Sequence, residues 1–175
     1  MNNFVLETWD DEGQACTFYT VRWEDAEQSE TDKFLLKYGD KSNEYYEQTL
    51  ELARLITEAI GNRYGATDDF IDRTKNKAHA LPPKPKKSPT EIQSLGIHFP
   101  LRLYCYRISE KLLILFNGGV KTARTDQESK DLSTKFYELQ SFVKRIEEAL
   151  RDGTVVYNED NNRLENFKGD EEIYL

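Results

Sequence analysis

Leu101-Arg102-Leu103-Tyr104-Cys105-Tyr106-Arg107-Ile108, Ser109-Glu110 and Lys111-Leu112-Leu113-Ile114-Leu115-Phe116 follow one another and carry the densest strand signal in the chain. The first run alternates, and the last is apolar at consecutive positions, as a strand covered on both faces must be. With a short turn between them, the two runs are expected to pair as an antiparallel hairpin at the centre of a sheet. Asn117-Gly118-Gly119 comes next, and the freedom of glycine to adopt positive φ predicts a sharp bend there. Val120-Lys121-Thr122-Ala123-Arg124 lies beyond it.

Downstream, Leu132, Phe136, Leu139, Val143, Ile146 and Leu150 step by four and three residues, which predicts a long helix over 127–151 closed by Gly153. Residues 154–157 and 163–175 read as short strands. Upstream, residues 81–89 hold four of the five prolines and are expected to form an extended, exposed loop. Tyr45, Tyr46, Leu52, Ile56 and Ile60 predict a helix from Asn43 to Gly61. A second helix is expected after Thr67, with Asp68 and Asp69 in its first turn, fading near His79. Residues 4–9 and 15–24 alternate on either side of Asp10-Asp11-Glu12-Gly13 and predict an opening hairpin. The fold class is therefore α+β in one domain. An antiparallel sheet carries a two-helix segment and a long helix. Residues 1–42 form an acidic extension with the hairpin, 43–153 the core, and 154–175 the closing strands.

A chain of 175 residues with 38% hydrophobic and 12% aromatic content is too apolar to stay disordered. Its longest apolar run is far shorter than the ~20 residues that span a bilayer. The N-terminus lacks the pattern of a signal peptide, so no membrane association and a cytoplasmic location are expected. Cys16 and Cys105 form no CxxC pair and only two histidines are present, which argues against structural zinc and a disulfide framework. Both thiols are expected to be free and buried. The net charge of −8 is unevenly spread: residues 1–72 sum to −11, residues 73–130 to +8, and residues 131–175 to −5. The middle third alone is basic enough to attract nucleic acid.

On strand 101–108 the period of two puts Leu101, Leu103 and Cys105 on one face and Arg102, Tyr104 and Tyr106 on the other. Successive side chains on a face are about 7 Å apart, near the spacing of nucleotides. Phenol rings stack on bases and a guanidinium forks onto phosphate, so the second face reads as a solvent-facing nucleic-acid surface. The competing reading is two tyrosines under a covering element with Arg102 in an ion pair. Lys84, Lys86 and Lys87 in the proline loop, and Arg107, are candidate phosphate contacts, against the alternative of a solvated loop. Glu24, Asp25, Glu27, Glu30 and Asp32 read as a solvated charged loop.

The two-helix segment, the Pro/Lys loop, Leu101-Arg102-Leu103-Tyr104, Leu112-Leu113-Ile114-Leu115-Phe116, Gly118-Gly119-Val120-Lys121-Thr122 and the following helix resemble the RelE/ParE superfamily of toxin–antitoxin toxins over roughly residues 44–151. The resemblance implies a small α+β fold that cuts messenger RNA on the ribosome or poisons DNA gyrase, and that a bound antitoxin protein silences. Arg102 then takes the place of the family's strand arginine, and Lys121 that of its lysine after the last central strand. Attack of a 2′-hydroxyl on phosphate needs a proton acceptor, positive charge and a proton donor, with neither metal nor cofactor. Lys121 and Arg124 would hold the phosphate with Arg102, while Tyr104 or Tyr106 orients the base or supplies a proton. His98 is a second candidate base, and Tyr174 a candidate from the last strand. Members of this family are small and basic, whereas this chain is acidic. The acidic flank either folds away from the basic face, covers it, or marks a fold reused for binding. The alternative function is a non-enzymatic interaction protein that binds nucleic acid or protein.

Overall fold

The computed structural model describes residues 2–72, 78–121 and 125–175. Strands β4 (Leu101–Ser109) and β5 (Leu112–Val120) pair antiparallel, and all nine positions of β5 are buried, as its unbroken apolar run requires. The strand does not end at Gly118-Gly119; β5 continues to Val120 through a register shift beside Gly118. Glycine serves closeness here rather than curvature. A β-carbon on Gly118 would lie 1.8 Å from the Arg102 carbonyl oxygen, beside an irregularity in the β4 register between Leu103 and Cys105.

Strands β1 (Phe4–Asp10) and β2 (Thr17–Trp23) pair antiparallel across the Asp-rich turn. They join the main sheet, because β2 also pairs with β5 from Thr17↔Leu112 to Thr20↔Leu115. That pairing is parallel, so the sheet is mixed and not antiparallel throughout. Its order is β3-β4-β5-β2-β1-β8, where β3 is Ala78–Leu81 and β8 is Ile173–Tyr174. Strands β6 (Val155–Asn158) and β7 (Arg163–Asn166) make a separate two-stranded sheet.

Helices cover both faces. Helix α4 (Asp126–Asp152) is capped by Thr125, whose hydroxyl accepts from the Glu128 amide at 3.1 Å, and stops at Gly153 with φ of 84°. It buries Leu139, Phe142, Val143 and Ile146 against Phe4, Leu6, Tyr19, Ile114 and Phe116. Each such side chain contributes about 1.5–3 kcal/mol by leaving water. Helix α2 (Tyr46–Arg54) and the π-helical segment Leu55–Tyr64 that continues it place Leu52, Ile56 and Ile60 against Phe18, Leu103, Cys105 and Leu115. The helix passes the expected stop at Gly61. The Gly61 carbonyl accepts from the Ala15 and Cys16 amides at 2.8 and 3.0 Å, and so ties the helix to the start of β2. Cys16 and Cys105 are free and buried.

Three further expectations are corrected. The acidic stretch is not all solvated loop, because residues Glu30–Tyr38 form helix α1. Ser29 caps it by accepting from the Asp32 amide at 3.1 Å, and Glu30, 1% exposed, meets Lys33 at 2.7 Å. Among the described residues of the stretch 68–79, none is helical after Thr67. Its carbonyl accepts from the Phe70 and Ile71 amides in a turn that buries both side chains, and β3 then fills the open edge of β4. The proline segment is a loop exposed at Lys84, Pro85, Lys87 and Ser88 as expected, but its two ends are not, for Leu81, Pro82, Pro83 and Pro89 are buried and helix α3 (Thr90–Gln93) follows.

Candidate functional site

Arg102, Tyr104 and Tyr106 alternate with buried Leu101, Leu103 and Cys105 as the period of two requires, yet the row does not project into solvent. Helix α4 lies over the two phenols. The Tyr104 ring packs edge-on against Phe136 with centroids 5.6 Å apart. Tyr106 donates its hydroxyl hydrogen to Glu147 Oε1 at 3.2 Å. Burial raises both pKa values, that of Tyr106 to about 12 with the Glu147 charge adding to it. Neither ring is free to stack on a base.

Arg102 is half-buried near the start of β4. Its Nη1 donates to the Phe99 and Leu101 carbonyls at 3.0 and 2.7 Å, which fixes the guanidinium at the start of β4. Burial pulls its pKa down, opposed by Tyr104 and Asp72. Lys121 leaves the end of β5 with its amide donating to the Pro100 carbonyl at 2.6 Å. Lys84 is set by Asp72, whose Oδ2 accepts from the Lys84 amide at 3.0 Å. These three cations line one groove of about 280 Å³ at the β3 edge, with Asp72, His79, Pro82 and Pro85.

The other predicted residues fall elsewhere. Lys86 pairs with Asp72 Oδ1 at 3.6 Å, and Lys87 is exposed outside the groove. Arg107 lies on the opposite face of β4 and is spent on structure, donating to the Ala66 carbonyl at 2.8 Å and to Asp68 Oδ1 at 2.9 Å. His98 is exposed and does not line the groove. Tyr174 sits on β8 at the far edge of the sheet and donates to Glu172. Arg124 lies outside the described residues.

Two groove residues were missed, Asp72 and His79. Assigning 68–79 to a helix hid both, although the alternation Ala78-His79-Ala80-Leu81 is a strand signal. Burial lowers the His79 pKa, helped by Arg107 and opposed by Asp72, so the imidazole is neutral at pH 7. The groove thus combines fixed positive charge with a group able to accept a proton. Among the described residues no three His, Cys, Asp or Glu side chains are grouped to hold a metal ion, and no helix is long and apolar enough to cross a membrane. Compared with known proteins, the chain matches no family model, no curated protein and no solved structure.

Proposed function

We propose that the protein is a binding module that holds the phosphate backbone of single-stranded RNA in the Arg102 groove, the interaction-protein alternative to a RelE/ParE-like toxin. The observation that carries this reading is the convergence of Arg102, Lys121 and Lys84, from three separate segments, on one groove of an otherwise acidic chain. The guanidinium supplies a fork for phosphate oxygens and the lysines supply point charges. Pro82 and Pro85 offer an apolar wall to a ribose or base. Anisotropy of a labelled RNA oligonucleotide tests it. The double variant Lys84→Ala/Lys121→Ala should raise Kd at least tenfold at fixed salt while the melting temperature holds, and an unchanged Kd rejects the reading.

His79 favours a second reading, the metal-independent endoribonuclease that an antitoxin protein neutralises. In that chemistry His79 takes the proton of a 2′-hydroxyl as its oxygen attacks phosphorus, Arg102 holds the charge that builds on the phosphate, and Lys121 gives a proton to the departing 5′-oxygen. A 2′,3′-cyclic phosphate and a free 5′-hydroxyl result. RNA incubated with the full chain in EDTA decides between the two. Cyclic-phosphate ends that vanish in His79→Asn, with RNA binding kept, establish the enzyme. Binding without cleavage leaves the module.

A further inference from the structure

Helices α1 and α4 converge near the end of β5 on a pocket of about 220 Å³ lined by Lys33, Lys37, Tyr38, Asn117, Asp131 and Lys135. We propose that this pocket binds the dianionic phosphate of a phosphomonoester. It shares no residue with the Arg102 groove, so either site can fail without the other.

Three lysines line the pocket with Asp131, and the carboxylates of Glu30 and Glu138 stand behind two of them. Lys33 is committed to buried Glu30 at 2.7 Å, but Lys37 lies 3.9 Å from Asp131 in an exposed pair and Lys135 lies 4.0 Å from Glu138 in a half-buried one, both long. Pairs of that length and exposure bind their ions weakly, so both lysines remain open to a stronger anion. The inner wall supplies neutral donors. Tyr38 is 7% exposed and Asn117 8% exposed, and both line the pocket. Asn117 spends its oxygen on the Gly118 amide at 2.8 Å, and among the described residues neither its NH₂ group nor the Tyr38 hydroxyl finds an acceptor. Both groups are therefore donors that a ligand oxygen in the pocket can use. Burial and the nearby Asp131 and Glu128 hold the Tyr38 phenol protonated, hence a donor.

Two weakly paired ammonium groups and two neutral donors match an anion with several oxygens and a charge near −2, as a phosphomonoester has at pH 7. A phosphodiester is substituted on two sides and carries a single charge, so it cannot present three free oxygens end-on to the inner donors. The chemistry is shared by a small sugar phosphate and by the 5′-phosphate of a nucleic-acid strand.

The test is a titration of the isotopically labelled full chain, followed by amide NMR, with inorganic phosphate, ribose 5-phosphate and dimethyl phosphate. Saturable shifts at Asn117, Gly118 and Lys135 are expected with the first two, and at least tenfold weaker binding with dimethyl phosphate. Tyr38→Phe and Asn117→Asp should each weaken phosphate at least tenfold, the latter keeping the acceptor for the Gly118 amide. Should either fail to fold, the surface variant Lys135→Gln carries the test with about a threefold loss for one partly screened charge. Absence of saturable shifts, equal affinity for dimethyl phosphate, or folded variants that bind as wild type would overturn the assignment. Given binding, a 5′-phosphorylated oligonucleotide that binds tighter than both ribose 5-phosphate and its 5′-hydroxyl counterpart identifies a strand end as the source. Equal affinity with ribose 5-phosphate identifies the small molecule.

Discussion

Gly118, paired with Leu103 across β4 and β5, comes so close to the Arg102 carbonyl that a β-carbon on the glycine would sit 1.8 Å from its oxygen. Backbone, not a yielding side chain, occupies that space. Gly118→Ala should therefore force the two central strands apart and cost about 3 kcal/mol, the upper range for overpacking. Urea denaturation measures it, and a loss below 0.5 kcal/mol would mean the strands are not this close.

Tyr106 makes its hydroxyl bond to Glu147 beneath α4 and takes no part in the groove. Tyr106→Phe should lower stability by about 1 kcal/mol, the net worth of one hydrogen bond. Its RNA affinity should match the wild type. A tenfold loss of affinity in a folded Tyr106→Phe protein would show that the phenol reaches the ligand after all.

Alkaline pH should weaken the fold before it weakens a surface charge network. Burial raises the Cys16 thiol from 9.0 to about 12 and the Tyr106 phenol from 10.0 to about 12. The folded state keeps these protons to higher pH than the unfolded chain does, so their contribution is complete below pH 9 and is lost as pH rises towards 12. Urea midpoints should be flat from these groups below pH 9 and fall above it. The fall should be smaller in Cys16→Ala.

Salt should report the charges in the groove. Each phosphate neutralised on a single strand contributes a slope of about −0.7 in log K against log salt. Lys121→Ala should flatten the RNA-binding slope by about that amount. Arg107→Lys, on the other face of β4, should leave it unchanged. An unaltered slope in Lys121→Ala removes this lysine from the interface.

Where one pattern dominated, the sequence was enough. The all-apolar run Leu112–Phe116 could only be a strand buried on both faces, and the four-three steps from Leu132 to Leu150 place α4 within about a residue at each end. Partner choice between distant segments was hidden. Nothing local in Thr17–Thr20 distinguishes a neighbour running parallel from one running antiparallel, since Phe18 and Tyr19 are buried in either arrangement. Charge concealed α1, where Phe34 and Tyr38 four residues apart were outvoted by the carboxylates around them. The site was half legible. Arg102, Lys84 and Lys121 do line one groove, but which element covers Tyr104 and Tyr106 depends on where α4 docks, a tertiary fact.

The parallel seam between β2 and β5 also governs how the molecule can be assembled on a translating ribosome. The β1–β2 hairpin is made before β5 and waits, its inner edge unsatisfied, until the residues of β5 have been synthesised and can dock beside it. Early in its life this chain therefore exposes an adhesive edge that the finished protein hides in its middle.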